Sequence, residues 1–255
     1  MTFMDTEAPL AVQVVQAIHS GDVPTLKRLL AENAGLATVR LGDDDPCGMS
    51  RTLLHVATDW PGHFPHVAST IAALVEAGAD VNARFTGPHT ETPLHWAASS
   101  DDVEALDALL DAGADIEASG AVIGGGSPLA DARAFGQWKA AHRLVERGAR
   151  TALKDAATLG LMERLASFFA GVTRPDADDT TRAFWGACHG GQLEAAEFLL
   201  AQGADPNWLG HDGMTPLDVA QHPSAAELVG KDRAEDLIAW LRTRGAKPAR
   251  EIVQG

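Results

Sequence analysis

The chain has no tyrosine, and aromatic residues make up only 5% of its 255 positions. Its core must therefore come from aliphatic side chains, and a hydrophobic content of 45% is enough for a continuous one. Cysteine is nearly absent. Cys47 and Cys188 lie far apart and form no CxxC pair, which excludes a disulfide framework and a thiolate metal knuckle and leads us to expect a reduced, cytoplasmic setting. Positive charge is also scarce, with 20 Lys and Arg against 35 Asp and Glu, a net −15. Such a surface repels phosphate, so no nucleic-acid partner is expected, and its plain consequence is solubility. No apolar run is long enough to cross a bilayer, so no membrane partner is expected. The segment Leu10–Ile18 is interrupted by Gln13 and Gln16 and lacks a basic leader, so it does not read as a signal peptide.

The most informative stretch is Glu91-Thr92-Pro93-Leu94-His95-Trp96-Ala97-Ala98, closed by Gly113-Ala114-Asp115. Thr92 is a good helix N-cap, and Pro93 suits the first helical position, where a missing N–H costs nothing. Leu94, Ala97 and Ala98 make a narrow apolar stripe against which another helix can approach closely. After Ser99–Asp102, Val103, Leu106, Leu109 and Leu110 recur at helical spacing, and Gly113 supplies a left-handed C-terminal cap.

This helix–turn–helix unit resembles the ankyrin repeat, whose T-P-L-H-x-A signature recurs at about 33 residues. Related starts are Thr52-Leu53-Leu54-His55, Ser127-Pro128-Leu129-Ala130 and Thr215-Pro216-Leu217-Asp218, with Ala183-Phe184-Trp185 a more distant version. The resemblance implies an all-α ankyrin-repeat solenoid of about seven helix pairs, a single domain over residues 1–255. A compressed unit near Leu153–Gly171 makes the array irregular near 150–180, and Thr173–Asp179 breaks the helical pattern. The fingers of the N-terminal half are extended. Pro61–Pro65 adds about five residues between two helices, and Arg84–Glu91 and Ser119–Gly126 each run about two residues long. Met1–Glu7 reads as a frayed start, and the run Asp43-Asp44-Asp45 as a solvated turn, because it lacks the glycine and distant glutamate of a calcium loop. Gly124-Gly125-Gly126 reads as a hinge in a finger, since no Lys-Ser/Thr follows it.

In ankyrin-repeat proteins partner contacts come mainly from the fingers and the two positions after the A-A pair. Carried over by position, the resemblance points to Arg51, Trp60, Phe64, His89, Trp96, Ser99, Ser100, Phe135 and His211 as binding residues. It implies that His55 and His95 use their rings to hold neighbouring fingers. We expect a monomeric module that takes a protein or peptide in an acidic, His- and Trp-lined groove. A second reading stays open: a small molecule bound or transformed there by metal-independent acid–base chemistry, with Asp59, His63, Glu91 and His189 as the catalytic set. Cys188, in place of the second alanine of an A-A pair, reads as a small buried side chain. No cofactor is expected, and no metal, because His63 and His66 alone fall short of the three or four ligands zinc requires.

Overall fold

The computed structural model describes residues 2–42 and 48–253, so the acidic run Asp43–Asp45 lies outside it. The chain divides into two compact units, Met1–Ala149 and Arg150–Gly255. The first unit opens with β1 (Phe3–Met4), α1 (Pro9–Ser20) and α2 (Val23–Glu32), followed by β2 (Arg40–Gly42), β3 (Ser50–Thr52) and α3 (Leu53–Ala57). It continues through α4 (Val67–Glu76), α5 (Pro93–Ser99), α6 (Val103–Asp111), α7 (Pro128–Ala134) and α8 (Trp138–Glu146). The odd-numbered helices α1, α3, α5 and α7 pack in one row, and α2, α4, α6 and α8 in a second. Leu54, Leu94 and Leu129 are fully buried along the first row, and Ala57, Ala97 and Ala132 beside them keep the helix axes close.

The motif histidines fasten one repeat to the next. The Thr92 N–H donates to His95 Nδ1 at 3.1 Å, so Nδ1 is the acceptor and the proton sits on Nε2. His95 Nε2–H then donates to the Gly126 carbonyl at 3.2 Å. His55 repeats the pattern, taking the Thr52 N–H at 3.3 Å and donating to the Glu91 carbonyl at 3.2 Å. Burial disfavours the imidazolium in both, lowering His55 to about 3 and His95 to about 4.

A small sheet braces this end of the unit. β1 pairs parallel with β2, β2 antiparallel with β3, and Ser50 bridges to Thr86 in the long finger. The start of the chain is therefore not frayed: Phe3 and Met4 sit opposite Arg40 and Leu41. A strand of two residues has no periodicity for a sequence to display. Arg40, 5% exposed, donates to the Ser50 hydroxyl at 2.8 Å and to the carbonyls of Ser50 at 2.7 Å and Arg84 at 2.8 Å. It ties the sheet to the finger that carries Glu91.

The second unit contains α9 (Leu153–Thr158), α10 (Met162–Ala170), α11 (Ala177–His189), α12 (Leu193–Ala201), α13 (Pro216–Ala220), α14 (Pro223–Val229), α15 (Lys231–Thr243) and α16 (Ala249–Val253). α11 packs on α9, α12 and α13, around Phe184, Ala187 and Leu199. Two expectations are corrected here. The acidic stretch before α11 does not interrupt the helix up to Asp179; Asp176 caps it by accepting the Asp179 N–H at 2.8 Å. Asp178 and Asp179 lie in the first turn, where the helix dipole favours carboxylates. The last repeat is also not a plain pair, because α14 stands between α13 and the outer helix α15.

The neutral histidines set a pH response. The unfolded chain takes up protons near the ordinary histidine value of 6.5 while the folded one does not, so their contribution is present above that pH and is lost as pH falls toward 4 and 3. Urea midpoints are expected to drop between pH 6.5 and about 5 in the wild type and to drop less in His95→Gln. An equal drop in both proteins would rule this linkage out.

Candidate functional site

The finger before α5 folds back on itself, the Phe85 N–H donating to the Glu91 carbonyl at 2.7 Å. This turns the Glu91 side chain inward, where it is 4% exposed. Trp96 Nε1–H donates to Glu91 Oε2 at 2.9 Å. His89 Nδ1 crowds the same oxygen at 2.7 Å, off the line of a good hydrogen bond. Phe85 stacks on His89 at 5.0 Å and leans on Trp96 at 5.6 Å.

Above this floor opens a cleft of about 380 Å³. It collects Asp59, Trp60, His89, Glu91, Trp96, Ser99, Ser100 and Phe135 from the residues singled out in the sequence, and adds Val122 and Gln137. The positions after the A-A pairs of three successive repeats thus meet the tips of two fingers. Trp60 is 80% exposed, Val122 48% and Phe135 46%. Asp59 is engaged at both oxygens, pairing with Arg51 through Oδ2 and accepting the Trp60 N–H through Oδ1.

Other sequence candidates lie elsewhere. Arg51 also borders a more apolar hollow of about 600 Å³ beside Val12, Val15 and Leu41. The His63 N–H donates to Asp102 Oδ2 at 2.6 Å, while its ring is mostly exposed and does not line the cleft. Phe64 stacks on His19 at 4.4 Å, so the Pro61–Pro65 insert clasps the neighbouring repeat. Gly21, with φ +66°, makes room for that clasp, since a Cβ there would lie 2.2 Å from the Pro65 carbonyl oxygen. His189 and His211 belong to the second unit. The His189 ring lies 5.5 Å from Trp185, and His211 sits exposed in a short turn before α13. Cys188 is fully buried and its thiol is pushed up by that burial, which suits a packing role and not a thiolate. Gly124 and Gly125, at positive φ, form the turn of a finger hairpin closed by the Gly120 N–H to the Gly125 carbonyl at 3.0 Å. Among the described residues, no three or more His, Cys, Asp or Glu are grouped to hold a metal, and no helix is long and apolar enough to cross a membrane.

One residue of consequence escaped the sequence reading. Asp131, on α7, is 0% exposed, and neither carboxyl oxygen has a well-formed hydrogen bond. Burial and the adjacent Glu91 carboxylate hold its carboxyl well above the usual range, partly offset by the backbone amides of Val122 and Ile123. The available signal was positional. Asp131 stands in the fourth repeat where Trp96 stands in the third, an acidic side chain one residue after the Ala130 that replaces the motif histidine.

The ankyrin-repeats family model matches residues 14–119 in three copies. No curated protein matches the sequence. Among solved structures, the human ASB11 ankyrin repeat domain is similar with a TM-score of 0.50 and 22% identity, over 91% of this chain and 98% of that one. The fold is an all-α ankyrin-repeat fold, and residues 14–119 match the ankyrin repeats themselves.

Asp131 keeps a proton in the folded chain that it releases on unfolding, so its contribution declines as pH rises from the ordinary carboxylate range through neutrality. Asp131→Asn, which carries no charge to bury, is expected to gain on the order of 1–3 kcal/mol over the wild type at alkaline pH and little at acidic pH. Thermal melts across that range measure it. A constant difference would mean that Asp131 is not the proton-holding group.

Proposed function

We propose that the cleft of the first unit receives a peptide segment of a partner protein. Ankyrin repeats are generally protein–protein interaction modules. The observation that carries the reading here is the convergence of exposed Trp60, Val122 and Phe135 on one cleft whose floor is polar. Exposed aromatics around a desolvated centre are what binding hot spots use. The acidic, His- and Trp-lined groove expected from the sequence corresponds in this reading to Asp59, His89, Glu91 and Trp96. We take the module to act as a monomer in the cytoplasm, in keeping with two cysteines in 255 residues.

Acid–base chemistry on a small molecule is the second reading. It is favoured by one arrangement, the buried carboxyls of Glu91 and Asp131 beside His89. It requires a substrate whose turnover disappears in Glu91→Gln while binding survives.

The binding reading has a direct test. Trp60→Ala and Phe135→Ala should each leave stability within about 0.5 kcal/mol, as exposed positions do. A partner identified by cross-linking at the cleft should bind each variant at least about tenfold more weakly, a loss typical of hot-spot residues. Unchanged affinity in the double variant, measured by calorimetry, would remove the cleft from the interaction.

A further inference from the structure

Resting on the peptide-binding reading, we infer that the cleft selects a lysine side chain, whose ammonium reaches Glu91 between the rings of Trp60, Trp96 and Phe135. Three observations support this. First, no Lys or Arg among the described residues lines the cleft, while Glu91 and Asp59 both do. Arg51 is drawn to Asp59, and Arg84 is held by the carbonyls of Thr90 and Ser119, so neither neutralises Glu91. Second, aromatic faces attract cations, more strongly when water is displaced, and Trp60 and Phe135 are exposed for that role.

Third, the geometry at Glu91 separates lysine from arginine. A guanidinium binds a carboxylate best as a fork that uses both oxygens. Here Oε2 already accepts from Trp96 and is crowded by His89 Nδ1. The side chain is only 4% exposed, so the cleft offers a narrow approach to it. A slender ammonium needs a single contact and fits; a planar fork does not.

The test is selection of phage-displayed random peptides on the full chain, with Trp60→Ala and Glu91→Gln as parallel targets. The expected result is a family of peptides sharing a lysine, lost on both variants. The best of these, resynthesised with norleucine in place of lysine, should bind the wild type at least about tenfold more weakly, the usual worth of one charge-assisted hydrogen bond. The norleucine comparison is made on the wild type and so holds even if Glu91→Gln does not fold. Peptides that need Trp60 but carry no lysine, or that tolerate norleucine, would overturn the lysine assignment and leave the peptide-binding reading intact. Enrichment of arginine in its place would overturn the single-contact argument. If no enriched peptide depends on Trp60, the peptide-binding reading fails and this inference fails with it.

Discussion

The imidazole N–H of His55 crosses from one repeat to the next and donates to the backbone carbonyl of Glu91; His95 does the same to Gly126 one repeat on. Both rings are fully buried, so a missing partner would cost on the order of 1–3 kcal/mol, more than the roughly 1 kcal/mol that such a bond contributes net. This asymmetry locks each finger to the helix behind it. It also sets the position of the Glu91 carboxylate, because the residue whose carbonyl is held is the one whose side chain forms the floor of the cleft. Stability and the candidate site in the first unit therefore depend on the same bond.

The departures from a regular repeat serve this arrangement. The Pro61–Pro65 insert brings Trp60 to the rim while Phe64 anchors on His19 and His63 on Asp102. Arg40 and the small sheet brace the long finger from behind through the Arg84 carbonyl and the Ser50–Thr86 bridge. A finger tip without such support would be free to move. Here it carries Phe85 and His89 as a stacked pair against Trp96, and the backbone under the polar floor is tied by the Phe85 N–H to the Glu91 carbonyl.

Electrostatically, the first unit places a carboxyl pair where water is scarce. Two buried carboxyls cannot both ionise cheaply, so Asp131 retains a proton, while Glu91 accepts the Trp96 indole N–H. The opposite solution appears at His55 and His95, where burial removes the charge altogether. Acid weakens the histidine fasteners, and alkali weakens the carboxyl pair.

The local signals in the chain were sufficient for the architecture. Thr92-Pro93-Leu94-His95 announces a capped helix, Ala97 and Ala98 announce close packing, and Gly113 announces the stop, because caps, proline and glycine act through the backbone within a few residues. The same locality made Trp60, Glu91, Trp96, Ser99, Ser100 and Phe135 nameable, since their place within the repeat determines which way they face. What the tertiary structure decided is what lies between repeats. It set the β1–β2 pairing, the engagement of Asp59 by Arg51, the diversion of His63 to Asp102 and Phe64 to His19, and above all the meeting of Asp131 with Glu91, 40 positions earlier in the chain. Contacts of that kind depend on how one finger settles on its neighbour, a distance-dependent packing outcome that no short window of sequence contains.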